Sequence, residues 1–143
     1  MNLSDSPVDP VYDYDLIVVG AGCAGMSAAL VAAIAGLKPL VIERTAFVGG
    51  TTALSAGSLW IPNTSHAATV GVGDSMAEAA RYLDSVTGAR CHPALRDAFL
   101  ANGPKAVALL ESQSRLKLRP YPHHPDYESD HAGSTLRGRA LEP

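Results

Sequence analysis

The fold of this chain is decided by residues 15–25, which read DLIVVGAGCAG. Residues 15–20 are a short apolar run that ends in glycine, a pattern typical of a parallel strand buried on both faces. Residues 26–35 carry apolar side chains all round, which predicts a buried helix that Gly36 stops. Residues 40–43, LVIE, repeat the strand pattern. Strand, helix and strand predict a βαβ unit with a right-handed crossover, and hence an α/β fold.

The turn between the first strand and the helix matches the spacing G-x-G-x-x-G. Gly20 allows the tight turn, Gly22 lets a pyrophosphate approach the backbone, and Gly25 lets the helix pack closely on the strand. The free N–H groups and the positive dipole at the start of the helix favour phosphate. The turn therefore predicts a dinucleotide site, whose candidate residues are Gly20, Gly22, Cys23, Ala24 and Gly25.

An acidic residue closes the second predicted strand. Glu43 stands 18 residues after Gly25, where a carboxylate can accept hydrogen bonds from ribose hydroxyls. The same carboxylate would repel a 2′-phosphate, which disfavours an NADP-type nucleotide. Arg44 is a second candidate nucleotide contact, with a solvated surface arginine as the alternative. Cys23, inside the turn, is more simply a small packing residue than a reactive thiol.

A second glycine cluster follows the acidic residue. Residues 49–52 read GGTT, and residues 55–62 read SAGSLWIP. Phosphate and sugar-chain oxygens need close N–H donors and short hydroxyl groups, which glycine and threonine supply without bulk. A plain NAD-binding unit has no need of this cluster, so it indicates another nucleotide; a flexible loop is the alternative.

With both clusters, the chain resembles the FAD-binding two-dinucleotide-fold flavoproteins, specifically the fumarate reductase and 3-ketosteroid dehydrogenase superfamily. The resemblance implies FAD as the cofactor, bound by a Rossmann-like βαβ unit. It also implies that the second cluster contacts the flavin diphosphate and ribityl chain, at the matched positions Gly50, Thr51, Thr52, Ser55 and Gly57. Some members attach flavin through a histidine near this cluster. Residues 44–63 contain no histidine, so we expect non-covalent FAD.

The tail is similar to the 3-ketosteroid Δ1-dehydrogenases in two segments, residues 119–127 (RPYPHHPDY) and 138–143 (GRALEP). In that family a tyrosinate base removes a proton next to a ketone and hydride passes to flavin N5. Tyr127 matches a tyrosine that supports the base through hydrogen bonding, and a phenol suits this role because it both donates and accepts. The alternative for Tyr127 is an aromatic anchor that packs the proline-rich loop. Glu128 and the longer segment that follows it depart from the family pattern.

The tail also contains five residues that could be considered as zinc ligands: His123, His124, Asp126, Asp130 and His131. They lie in a proline-broken loop without a helix to set their spacing. We therefore expect no metal site.

The remaining sequence predicts loops and helices. Residues 49–73 are expected to be a glycine-rich loop with one helical turn. Asp74 and Ser75 can cap the next helix, and Pro93 and Pro104 can each open another. The three helices are predicted over residues 76–87, 93–100 and 104–112. The tail from residue 119 onward is expected to be irregular.

The composition indicates a globular unit of at most one domain: 143 residues, 47% apolar, 17% charged, with a net charge of −3. This net charge gives no electrostatic field that would hold nucleic acid or an anionic membrane. The small residues of 21–37 suit a helix packed on a sheet better than one that spans a membrane. Cys23 and Cys91 do not make a disulfide framework, so we expect a cytoplasmic protein. Residues 1–13 are expected to be a loose, flexible arm, and residues 14–143 the N-terminal part of an FAD-binding domain.

This predicted domain is incomplete. Two strong parallel strands cannot build the open sheet that encloses a dinucleotide. In the resembled family, the proton-abstracting tyrosine and the substrate domain lie beyond the position of Pro143. We therefore expect a fragment, or a chain that another polypeptide completes. In either case we expect activity on a steroid-like ketone only when the domain is completed. Two alternatives stay open: a fumarate reductase or succinate dehydrogenase-like part, and a non-catalytic nucleotide-binding remnant. The electron acceptor is left open.

Overall fold

The computed structural model describes residues 12–143, so most of the expected N-terminal arm lies outside the described residues. The chain divides into two units, the first ending at Leu54 and the second covering Ser55–Pro143. The elements, in chain order, are β1 (Leu16–Val19), α1 (Cys23–Ile34), β2 (Pro39–Ile42), α2 (Gly50–Leu54), β3 (Leu59–Trp60), α3 (His66–Thr69), α4 (Met76–Thr87), a 3₁₀ turn (Gly88–Arg90), α5 (Pro93–Gln113), β4 (Arg119–Pro120) and β5 (Ala140–Glu142). Helices and strands are thus mixed, as the sequence predicts.

The first unit contains the expected strand, helix and strand. β1 and β2 pair in parallel, with Leu16 opposite Pro39 and Val19 opposite Ile42. The helix begins at Cys23, three residues before the predicted start, because the glycine-rich turn itself forms its first turn. Gly36 ends the helix as predicted: its φ is +84°, and the N–H groups of Gly36 and Leu37 donate to carbonyls of the last helical turn.

The expectation that β1 is buried on both faces is wrong. Val18 lies against α1 and is 9% exposed, whereas Ile17 is 60% and Val19 81% exposed. Among the described residues β1 pairs with β2 alone, and α1 covers only the side on which Val18 lies. The prediction that this helix is buried all round is also wrong. The buried residues of α1 are Ala29 and Ala32.

The second unit has a small antiparallel sheet in the strand order β3-β5-β4. Leu59 pairs with Leu141, and Arg119 pairs with Glu142, so the two ends of the tail form strands. The expectation of a wholly irregular tail is therefore wrong, because Leu141 is completely buried in a cluster with Val107 and Leu118. Residues 49–73 also hold more structure than one helical turn, namely α2, β3 and α3.

The helices of the second unit follow the sequence signals except at one proline. The Ser75 hydroxyl accepts from the Glu78 N–H at 3.2 Å, which confirms the predicted cap of α4. The two helices predicted after residue 92 are wrong as separate elements: α5 is continuous and contains Pro104. A proline removes one helical hydrogen bond. Burial of Leu100 and Val107 on either side keeps the helix intact.

Candidate cofactor-binding site

The glycine-rich turn has the close backbone contacts that its sequence predicts. Gly20 has a φ of +97°, which side-chain-bearing residues rarely adopt. A Cβ at Gly25 would lie 1.9 Å from the carbonyl oxygen of Gly20 and 3.2 Å from Cγ1 of Val18. Gly25 therefore lets the start of α1 lie directly on the end of β1.

The start of α1 offers unused hydrogen-bond donors. Gly22 is the N-cap residue, and no side chain caps the helix. A Cβ at Gly22 would meet nothing within 4 Å, so the space above the turn is open. Cys23 and Ala24, the first residues of the helix, are exposed. Uncapped N–H groups and the helix dipole together form an arrangement that binds phosphate.

Glu43 lies against the same turn. Its carboxylate accepts from the Ala21 N–H at 2.9 Å, and from the N–H and hydroxyl of Thr45 at 3.0 and 3.1 Å. The hydrogen bond from Ala21, followed by those from Thr45, holds the pKa of Glu43 below its usual value. The group is therefore an anion near neutral pH. Arg44, the next residue, is exposed.

The second glycine cluster meets the first. The Gly49 N–H donates to the Ala21 carbonyl at 2.8 Å, and Gly22 and Gly49 form a parallel bridge. A Cβ at Gly50 would lie 3.1 Å from the Cα of Gly22. The first unit thus brings together Gly20, Gly22, Cys23, Ala24, Gly25, Glu43 and Gly50 at one end of the parallel strands.

The other residues predicted in the second cluster are divided between the two units. Thr51 and Thr52 lie in α2, Thr51 exposed and Thr52 half-buried. Ser55 and Gly57 belong to the second unit, where Ser55 is exposed. Gly57 has a φ of +69°, a conformation that favours glycine.

Tyr127 lies on a loop of the second unit, with 87% of the residue exposed. Its ring meets the His124 ring edge-on at 5.8 Å, and the His124 ring lies 5.2 Å from that of Tyr121. This exposure does not match an aromatic anchor that packs the loop. The role of Tyr127 in catalysis stays a prediction.

A buried charge cluster, which the sequence did not predict, lies beneath this loop. Arg139 is 1% exposed, and its guanidinium donates to Asp74 at 2.7 Å and to Asp126 at 2.8 Å. Burial alone would lower the pKa of Arg139, but the two carboxylates outweigh it and raise that pKa. Asp74, expected as a helix cap, instead faces Arg139. The signals in the sequence were the Gly-Arg pair at 138–139 and the Pro-Asp-Tyr segment at 125–127.

The residues considered as zinc ligands do not form one cluster. Asp126 is used in the buried ion pair with Arg139. Possible ligand atoms of Glu128, Asp130 and His131 do lie within 4.8 Å of one another, on exposed or half-buried side chains. His123 and His124 are outside this group, and the absence of a metal site stays a prediction.

Among residues 12–143, no helix is long and apolar enough to cross a membrane.

Comparison with known proteins gives consistent matches. The model of the FAD binding domain family matches residues 15–142. A 3-oxosteroid 1-dehydrogenase of Mycobacterium tuberculosis is 39% identical over 93% of this chain and 24% of its own length. A 4-oxocyclohexanecarboxylate 2-dehydrogenase of Sinomonas cyclohexanicum is 34% identical over 94% of this chain and 23% of its own.

A solved structure is also similar to this chain. It is the 3-ketosteroid Δ1-dehydrogenase of Sterolibacterium denitrificans in complex with 1,4-androstadiene-3,17-dione, with a TM-score of 0.79 and 37% identity. The match covers 91% of this chain and 23% of that one. The chain thus spans about a quarter of the length of these relatives.

Proposed function

Since this chain belongs to the FAD binding domain family, we propose that it is the FAD-binding part of a flavin-dependent oxidoreductase that desaturates a cyclic ketone next to its carbonyl. The relatives that it matches over nine-tenths of its length act, by name, on 3-oxosteroids or on 4-oxocyclohexanecarboxylate. The ring ketone is common to these substrates, and we place a steroid-like ketone first. We also keep the cytoplasm as the proposed location.

The residues of the glycine turn fit FAD. The observation that supports this fit is the contact between the two glycine clusters. The backbone of Gly22 lies against Gly50, and a Cβ at Gly50 would fill the space between them. Uncapped N–H groups of α1 would hold the diphosphate, and Glu43 would accept from the ribose hydroxyls. We propose that β1, α1 and β2 are the Rossmann-like half of this site. The further contacts proposed are Arg44, Thr51, Thr52, Ser55 and Gly57.

Bound FAD would supply the hydride acceptor for the reaction, without a covalent link to the chain. Glu43 already receives hydrogen bonds from Ala21 and Thr45, so its carboxylate is held in place before a nucleotide arrives. Tyr127 would hydrogen-bond to the tyrosinate base through its hydroxyl and steady the charge of that base while it takes the proton. Catalysis on this proposal needs groups from the part of the relatives that this chain does not match.

A chimeric enzyme tests the activity. Residues 15–142 of this chain would replace the matching quarter of the M. tuberculosis 3-oxosteroid 1-dehydrogenase, with a dye as electron acceptor. We expect turnover of a 3-oxosteroid and none of succinate. A Tyr127→Phe chimera should lose up to about a hundredfold in kcat, at the lower end of what proton-transfer groups contribute. Tyr121→Phe is the matched control.

Other outcomes of this assay would select the alternatives. Turnover of succinate but not of the steroid would favour a fumarate reductase-like part. A chimera that folds and binds FAD but turns over neither substrate would favour a non-catalytic nucleotide-binding remnant.

A further inference from the structure

The backbone on both sides of Tyr127 is fixed by hydrogen bonds, although the tyrosine side chain is exposed. On one side, the Asp126 N–H donates to the Thr135 carbonyl and the Asp126 carboxylate accepts from the Thr135 N–H, both at 2.9 Å. On the other side, the Glu128 N–H donates to the Tyr82 hydroxyl at 3.2 Å. The two neighbours of Tyr127 are thus fixed independently of its own ring.

The Asp126 anchor is itself buried and rigidly paired. Its carboxylate accepts from the indole N–H of Trp60 at 2.7 Å as well as from Arg139. Arg139 is held from its other side by two hydrogen bonds to Asp74, at 3.1 and 2.7 Å. Buried, charge-assisted hydrogen bonds of this kind are stronger than neutral ones. Asp126 therefore cannot shift without breaking several bonds.

The Tyr82 anchor lies on α4, which the loop contacts closely. A Cβ at Gly133 would lie 2.3 Å from the Glu78 carbonyl oxygen and 2.8 Å from the Tyr82 nitrogen, so the far side of the loop rests on the helix backbone. The Tyr82 ring is 5% exposed and lies 5.7 Å from the Arg139 guanidinium. Both anchors therefore belong to the same buried cluster.

We propose that Asp126 and Tyr82 are positioning residues that hold the backbone on either side of Tyr127 so that its phenol projects from the second unit at one fixed place. Its use in catalysis rests on the proposed function. Neither residue touches the reacting atoms; each acts through Tyr127. The remaining bonds of the cluster, to Trp60, Asp74 and Arg139, keep Asp126 in place.

NMR relaxation and amide hydrogen exchange of the full ¹⁵N-labelled chain test this proposal. Tyr82→Phe removes only the hydroxyl that accepts from Glu128 and keeps the ring. We expect the Glu128 amide to exchange about fivefold to tenfold faster, and the Tyr127 amide to become more mobile. Asp126→Asn should mobilise Tyr127 further; if this variant fails to fold, Tyr82→Phe decides alone.

Tyr121→Phe is the matched control, because it also removes one tyrosine hydroxyl, bonded to Ser58 at 3.2 Å, away from residues 126–128. It should leave Tyr127 and Glu128 unchanged. The proposal is overturned if Tyr82→Phe behaves like Tyr121→Phe at these two residues. An equal increase in exchange along α4, α5 and the loop would overturn it too, since that result indicates general stability. These NMR and exchange measurements use the chain without FAD or steroid. They therefore test the positioning role separately from the proposed function.

Discussion

At the scale of single residues, two glycines of the same turn are needed for different reasons. A methyl group at Gly25 would collide with the Gly20 carbonyl, whereas one at Gly22 would point into open space. The φ of Gly22, −79°, is also accessible to alanine. Packing therefore requires Gly25, whereas the proposed approach of FAD requires Gly22.

We expect Gly25→Ala to destabilise the first unit by about 1–3 kcal/mol or more, the usual cost of overpacking. Gly22→Ala should leave stability within about 1 kcal/mol but weaken FAD binding, because its methyl group would occupy the approach of the diphosphate. Thermal unfolding and FAD titration measure the two effects. Equal losses of stability in both variants would contradict this division.

Glu43→Gln tests the ribose contact. The amide keeps the shape but loses the charge-assisted hydrogen bonds, so FAD affinity should fall about tenfold. Glu128→Gln removes the same charge from an exposed residue of the tail and is the control. FAD fluorescence gives both dissociation constants, and equal values for the two variants would argue against Glu43 as a ribose ligand.

At the scale of elements, α5 contains an interior proline, a residue that normally kinks or breaks a helix. Pro104 lies in its interior, whereas Pro93 stands at its start. We expect Pro104→Ala to raise the free energy of unfolding by about 1–3 kcal/mol, because the lost helical hydrogen bond can form. Pro93→Ala should change it by less than about 0.5 kcal/mol. Urea denaturation measures both. A Pro104 variant no more stable than the Pro93 variant would show that the surrounding packing depends on the proline.

Elements with local signals were predictable from the sequence. The glycine spacing, the Gly36 stop and the Ser75 cap each act within a few residues, and all three are as predicted. The strands of the tail have no local signal, since Leu141 forms a strand by pairing with two distant residues, Leu59 and Pro120. The residues of the first turn can be proposed together as candidates because they are contiguous in sequence. The cluster of Arg139, Asp74 and Asp126 could not, because it joins residues far apart in the chain.

At the scale of the whole molecule, acid stability should depend on this buried cluster. Burial alone would raise the pKa of Asp74, but hydrogen bonds from Arg139, Asn63 and Ser75 outweigh it and lower the pKa below its ordinary value of 3.8. A carboxylate with a lowered folded-state pKa stabilises the fold fully above its unfolded pKa. That contribution is lost as the pH falls below about 3.8 and through the folded-state value.

Asp74→Asn should therefore cost about 3–5 kcal/mol at neutral pH, because it leaves Arg139 buried without one of its carboxylates. It should also flatten the loss of stability below pH 4. Urea unfolding from pH 7 to pH 2.5 measures both, with the exposed Asp130→Asn as control. An acid limb equally steep in both variants would mean that other carboxylates govern acid unfolding.

On the proposed function, the glycine turn of this chain binds FAD through the adenosine diphosphate half of the cofactor. The most direct measurement is a titration of FAD with the purified chain, followed by fluorescence, with ADP and riboflavin as competitors. We expect saturation at one FAD per chain, and displacement by ADP but not by riboflavin. The proposal is contradicted if FAD binding does not saturate at millimolar concentrations of the chain. It is also contradicted if riboflavin displaces FAD and ADP does not.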